Sequence, residues 1–365
     1  MEGEMEDNLE RENNDIEIEI EKETKPVNKK LTIFNFLLII LIFVGLFTYM
    51  IKVDGIDNIL KILHTADYKW VLGGVICLII YWICETLTLH IPLKRLYKDQ
   101  KITSSLRVSM IGQLFNNITP FASGGQAVQA YVLNKENRRI SDSLSVMALK
   151  FIITQIALVV STLFVVVLEY KFFMELMQDY IWVAILGFVI NIIAIIVVIL
   201  AGVKKRAITI ITNPIITLLG KIRIIKNPEK IKNKLDASIE NFEMQFKVMK
   251  SEKKMTLKMF ITAVIQSFAY YSITYMVYRA FGNSEIGFLQ IIPVQALLLL
   301  IMTFIPTPGS GLGAEGGFYL LFNSIFKEGT INISILFWRI YTFYLPIIIG
   351  SLFLLPVKKK IKNKK

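Results

Sequence analysis

The stretch "NNITPFASGGQAVQAYVL", Asn116 to Leu133, decides how this chain folds. It is too polar for an ordinary membrane helix and too apolar for an ordinary loop, and it carries a Pro and two adjacent glycines. Its surroundings are greasy: 54% of the 365 residues are hydrophobic, 19% are charged, and the mean hydropathy is +0.55. Soluble domains run at about 45–50% apolar and about 25% charged. The chain therefore reads as a membrane protein, and the stretch as a break within it.

Working outward, a helix needs about 20 apolar residues to cross a hydrocarbon core of ~30 Å. Candidates for full crossings are 31–51, 70–91, 144–168, 180–203, 259–281 and 332–355. Two segments are ambiguous: 105–133, which holds the opening stretch, and 287–326, which contains "IPTPGSGLGAEGGF". Basic loops belong on the cytoplasmic side. "PLKRLYKDQK" (92–101), "NKENRR" (134–139), 204–258 and the tail "KKKIKNKK" are basic, whereas "EYKFFMELMQD" (169–179) is net acidic. Lys25, Lys29 and Lys30 flank the first crossing and place the N-terminus inside, despite the acidic first 23 residues. On this bookkeeping 105–133 begins and ends in the cytoplasm, and 287–326 begins and ends outside. The expected fold is an all-α polytopic membrane protein. It has about six full transmembrane helices and two re-entrant helical hairpins dipping from opposite faces, with both termini cytoplasmic. A full crossing by 287–305 is the alternative for the second hairpin.

Domain organisation follows. Residues 1–30 read as a disordered acidic tail, too sparse in hydrophobics for a core. No signal peptide is expected, because the first residues are acidic rather than basic. Residues 31–357 form the transmembrane domain and 358–365 a basic tail. Within 204–258, Ile231, Leu235, Ile239, Phe242, Phe246 and Met249 make one apolar helical face, read as an interfacial helix. The net charge of +12 lies in loops beside membrane spans, a pattern that speaks against nucleic acid as a partner. Cys77 and Cys84 are two helical turns apart in one apolar run, too far for a disulfide within that helix. With no CxxC and two histidines, neither a metal nor a cofactor is expected.

Broken backbone inside lipid is tolerated where protein buries it or where it lines a polar cavity. Transporters use such breaks to aim half-helix N-termini at anions. In the opening stretch Pro120 ends a half-helix, and Gly124 and Gly125 permit the bend. Asn116, Asn117, Thr119, Ser123, Gln126 and Gln129 offer neutral hydrogen-bonding groups there. They either satisfy the freed backbone or line a headgroup path. In the second stretch Pro306 and Pro308 break the helix, and Gly309, Gly311, Gly313, Gly316 and Gly317 surround Glu315. "GLGAEG" fits GxGxxG, but a dinucleotide site needs a strand before it and a transmembrane-like run stands there. A carboxylate in such a bend is a functional candidate.

Glu85, His90, Lys150 and Arg339 also lie in apolar runs. An isolated charge at a span's centre costs roughly 2.5–3.5 kcal/mol, so each needs a cavity or a partner. Arg339 is the candidate phosphate contact through its planar fork, with a structural pair to Glu315 or Glu85 as the alternative. Lys150 is close enough to the cytoplasmic end to snorkel, and His90 reads as interfacial. No nucleophile with a base and an orienting group stands out, so no catalytic residue is assigned.

The two broken stretches, followed by an Arg in the last span, resemble the membrane region of the lysylphosphatidylglycerol synthase/flippase family. That family includes the multiple peptide resistance factor of bacteria. The resemblance covers roughly 31–357. It implies an inner-membrane protein that moves an aminoacylated or other anionic lipid-linked phospholipid between leaflets, in support of resistance to cationic antimicrobial peptides. The family label would be phosphatidylglycerol lysyltransferase. The synthase half of the full-length factor is not matched, so translocation is the expectation and a transferase or an ion-coupled small-solute carrier the alternative. Relatives carry an acidic residue or an Arg near the positions of Gln126 and Gln129, which leaves glycolipid or polyprenyl-linked headgroups open beside lysyl-phosphatidylglycerol. The implied partners are the lipid substrate and the membrane, with a second copy of the chain and a separate soluble synthase as further options.

Overall fold

The computed structural model describes residues 56–122, 124–176, 228–302 and 313–354, with scattered single positions elsewhere. The expected crossings 31–51 and 180–203, both terminal tails and the second bend at 303–312 lie outside the described residues. In chain order the helices are α1 (Ile56–Thr65), α2 (Tyr68–Leu96), α3 (Ile102–Ile118), α4 (Gly124–Lys135), α5 (Ile140–Leu168), α6 (Tyr170–Leu176), α7 (Pro228–Ser251), α8 (Lys253–Ala280), α9 (Phe288–Met302), α10 (Gly313–Phe322), α11 (Ile331–Arg339) and α12 (Leu345–Leu352). A 3₁₀ turn, Pro120–Ala122, joins α3 to α4, and a π-helical turn, Ile340–Tyr344, fuses α11 to α12.

Among the described residues four helices are long and apolar enough to cross a membrane: Tyr68–Leu96, Ile140–Leu168, Lys253–Ala280 and Ile331–Leu352. At 1.5 Å per residue a 29-residue helix such as α2 reaches roughly 43 Å, well past a hydrocarbon core of ~30 Å. The Asp67 side chain accepts from the Lys69 amide at the start of α2, and Lys94 and Arg95 meet the dipole at its end. Helix α8 is the hub, packing against α2, α5, α7, α9 and α11. Val248 and Met249 seat α7 on Leu149 and Ile153 of α5 and Met259 of α8. Most of the other expected apolar positions of α7 have side chains outside the described set.

Helices α3 and α4 form a hairpin that returns to its starting end. At the mouth, Ser104 donates to Glu136, and Arg138 forks onto Asp99 through two bonds of 3.0 Å and reaches Gln100 at 3.1 Å. Those bonds hold the Asp99 carboxyl below the usual carboxylate range. At 17 and 12 residues, the arms are roughly 25 and 18 Å long, short of a full crossing. Helices α9 and α10 form the second helical pair. Its exit is tied to its start, since Lys327 donates from its amide to Asn283 at 2.8 Å and from Nζ to the Gly282 carbonyl at 2.9 Å.

The two hairpins open to opposite ends of the bundle. The first opens beside the end of α2 and the start of α5. The second opens beside the start of α2, where the Asp67 amide donates to the Ala280 carbonyl at 2.9 Å. Span–hairpin–span thus occurs twice, once from α2 to α5 and again from α8 to the last span, running in opposite directions.

The bend of the first hairpin explains its glycines. The Thr119 hydroxyl donates to the Phe115 carbonyl at 2.6 Å and accepts from the Gly124 amide at 2.9 Å. Asn116 Oδ1 accepts from the Gly125 amide at 3.1 Å. Two orphan donors of the α4 N-terminus are thereby satisfied from α3. A Cβ on Gly125 would sit 2.0 Å from Asn116 Oδ1 and 2.7 Å from the Gly112 carbonyl. Gly125→Ala is therefore expected to prise α4 from α3. The thermal midpoint of the detergent-purified protein should fall by the equivalent of at least about 1–3 kcal/mol, the usual cost of overpacking.

Candidate functional site

Among the described residues, two ion pairs are buried in the bundle. Helix α10 carries Glu315 in its first turn, where a carboxylate complements the helix dipole. Arg339 ends α11, and its Nε donates to Glu315 Oε1 at 2.7 Å, with side-chain exposures of 2% and 12%. Packing fixes this geometry. Phe318 stacks on Phe322 at 4.5 Å and meets Trp338 at 4.9 Å, so α10 and α11 are zipped one turn beyond the pair. The guanidinium lies 5.2 Å from both the Trp338 and the Phe343 ring centres, within cation–π range. Glu315 Oε2 is buried and has no hydrogen-bond partner among the described residues.

The second pair joins three helices. Lys150 of α5 donates to Glu85 Oε1 of α2, and Gln266 Nε2 of α8 donates to Glu85 Oε2 at 2.8 Å. Glu85 is 6% and Lys150 8% exposed. The expectation that Lys150 snorkels to the membrane surface is corrected here: its ammonium turns inward, because a carboxylate otherwise stranded in α2 stands within reach. His90 is half-buried, its Nδ1 paired with the Ser105 hydroxyl at 2.9 Å.

Neutral groups stand near the Glu85 pair. Gln113 Nε2 of α3 donates to the Tyr81 hydroxyl at 3.4 Å, and the Tyr81 ring packs on Tyr270 at 5.6 Å. With Gln266 they add polar atoms to an otherwise apolar bundle.

A sequence model of the lysylphosphatidylglycerol synthase TM region matches residues 36–350. The chain belongs to that family. It is also 27% identical over 287 residues to a UPF0104 membrane protein of Methanothermobacter thermautotrophicus, covering 75% of this chain and 81% of the relative.

Within this lysylphosphatidylglycerol synthase TM fold, the residues singled out in the sequence divide into groups. Glu85 with Lys150 and Glu315 with Arg339 are brought together. Asn116, Thr119, Gly124 and Gly125 are engaged in the bend's own backbone, and the Asn117 side chain donates to the Gln113 carbonyl at 2.8 Å. Gln129 is buried against Gly112, Gln126 is exposed, and Gly313 opens α10. Gly311 lies outside the described residues. Both cysteines are buried free thiols. Sequence reasoning missed Tyr81, Gln113, Gln266 and Tyr270, which are neutral. The available signal was spacing: Tyr81 and Glu85, and Gln266 and Tyr270, are each four residues apart and share a helical face.

Proposed function

We propose that the protein is a lipid translocase. It moves an anionic, aminoacylated or lipid-linked phospholipid between the leaflets of the cell membrane, and in doing so supports resistance to cationic antimicrobial peptides. The observation that carries this reading is the Arg339–Glu315 pair, set between α10 and the last span, with a second buried pair, Glu85–Lys150, in the same bundle. A buried ion pair contributes little to stability, since desolvation offsets its Coulomb energy. A guanidinium fork inside an apolar bundle is, however, matched to a phosphate. In the proposed cycle the phosphate takes the Arg339 fork from Glu315, acyl chains stay in lipid, and the hairpins expose the headgroup to one side and then the other. Membrane-embedded hairpins from opposite faces provide the broken backbone that such a path needs. The end bearing Lys94, Arg95, Lys98, Lys101, Lys135, Arg139, Lys253 and Lys254 is the cytoplasmic one by the positive-inside rule. A separately encoded synthase would supply the aminoacylated lipid.

Leaflet exchange in proteoliposomes tests the proposal. Lysyl-phosphatidylglycerol and phosphatidylglycerol are followed with an outer-leaflet amine reagent and a lipid-extraction control. Faster exposure of at least one lipid than in protein-free vesicles is expected. A rate equal to protein-free vesicles for both, and for a polyprenyl-linked and a glycosyl lipid, would sink translocation. New modified lipid in extracts of expressing cells would instead establish a transferase.

A further inference from the structure

The cavity beside Glu85 has a lining that selects one kind of headgroup. It measures about 150 Å³, room for several water-sized groups, and is partly open. Its polar wall is Tyr81, Thr154, Gln155, Gln266, Ser267 and Tyr270. Three of these present acceptors. The Thr154 hydroxyl gives its proton to the Lys150 carbonyl at 2.9 Å, and the Ser267 hydroxyl to the Ala263 carbonyl at 3.1 Å, so their lone pairs remain. Gln266 is 8% exposed, its amide nitrogen donates to Glu85, and its Oε1 is buried without a partner among the described residues. An orphaned buried acceptor is costly unless a ligand supplies the donor.

Gln155 and the Tyr81 and Tyr270 hydroxyls bring donors to the same wall, so it both gives and accepts protons. Phosphate and carboxylate oxygens, which only accept, would leave Gln266 Oε1 unanswered, whereas a hydroxyl or an ammonium supplies its donor. Charge decides between them: Lys150 already neutralises Glu85, so the site offers no net negative charge to a desolvated cation. The tilted Tyr81 and Tyr270 rings, 5.6 Å apart, give an apolar face of the kind that packs against C–H surfaces. Val160 on α5 and Ile261 and Ile265 on α8 are exposed apolar residues, so acyl chains can lie along these same two helices.

We propose that this cavity binds the neutral, hydroxyl-rich headgroup of a lipid, a glycosyl or glycerol unit, while any phosphate of the same lipid goes to Arg339. Tyr270 lines the cavity. The proposal rests on the translocase reading for its lipid, yet binding can be measured without transport.

The full chain in phosphatidylcholine nanodiscs is doped in turn with monoglucosyl-diacylglycerol, phosphatidylglycerol, lysyl-phosphatidylglycerol and phosphatidic acid, and co-bound lipid is read by native mass spectrometry. The glucosyl and glycerol lipids are expected to exceed phosphatidic acid and the lysyl lipid by about tenfold. Gln266→Met and Tyr270→Phe should each remove about tenfold, the worth of one buried hydrogen bond. If Gln266→Met does not fold, Tyr270→Phe with Ser267→Ala carries the same test. Preference for the lysyl lipid, or unchanged retention in folded variants, overturns the proposal. Displacement of the glucosyl lipid by millimolar glucose also overturns it, because the site would then take free sugar. Glucosyl-lipid binding with no leaflet exchange of any lipid would remove the translocase and leave the cavity. Exchange without that binding would do the reverse.

Discussion

Arg339→Leu is expected to cost about 3–5 kcal/mol of stability, the range for removing one partner of a buried ion pair. Glu315 would lose the donor to its Oε1, while its Oε2 already has no partner among the described residues. Adding Glu315→Leu should return most of that loss, because apolar replacement of a whole buried pair is often neutral or favourable. Thermal unfolding of the two single variants and the double, run as a cycle, gives the coupling. The double variant then separates structure from function. It should be as monodisperse as the parent and yet fail to accelerate leaflet exchange. A stable double variant that translocates at the parent rate would remove Arg339 from the lipid path.

Glu85 and Lys150 should give a comparable pattern with a third participant. Lys150→Met leaves Glu85 with Gln266 as its remaining donor among the described residues, again at a cost of about 3–5 kcal/mol. Glu85→Leu strands the lysine and also orphans the Gln266 amide, which adds about 1–3 kcal/mol. Glu85→Leu is therefore expected to be the more damaging of the two. Combining Lys150→Met with Glu85→Gln should recover more than combining it with Glu85→Leu, because a glutamine keeps an acceptor for Gln266. Unfolding midpoints of the four variants check the ordering. Equal midpoints for Glu85→Leu and Lys150→Met would mean that Gln266 contributes nothing to the pair.

Much of this was legible in the sequence, for a physical reason. Lipid allows few architectures, so a Pro and paired glycines in an apolar run must be a bend, and the side assignment of basic loops makes that bend a hairpin. The structure is all-helical among the described residues, with α3 and α4 meeting at Pro120–Gly125 as the Pro and glycines predict. Arg339 with Glu315 was legible because a charge in an apolar run needs a counter-charge and few are available. Lys150 with Glu85 was not, because a lysine near a helix end has two ways to be satisfied and sequence does not say which. The neutral members of the site were harder still. A Gln or Tyr in a span breaks no rule until the residue facing it is known.

The π-helical turn in the last span has a consequence of phase. Arg339 and Gly350 are eleven residues apart. In an unbroken α-helix eleven residues close about three turns and leave the two positions within about 20° of one another. The turn at Ile340–Tyr344, where the Leu345 amide reaches back to the Ile340 carbonyl, absorbs one residue and swings them roughly 80° apart. Arg339 can then face α10 while Gly350 lies against α3, where an added Cβ would come within 2.7 Å of the Met110 carbonyl. The last span thus acts as a keyed shaft. One inserted residue sets the angle between its two teeth, one engaged with each hairpin, so a rotation that moves one hairpin must be felt by the other.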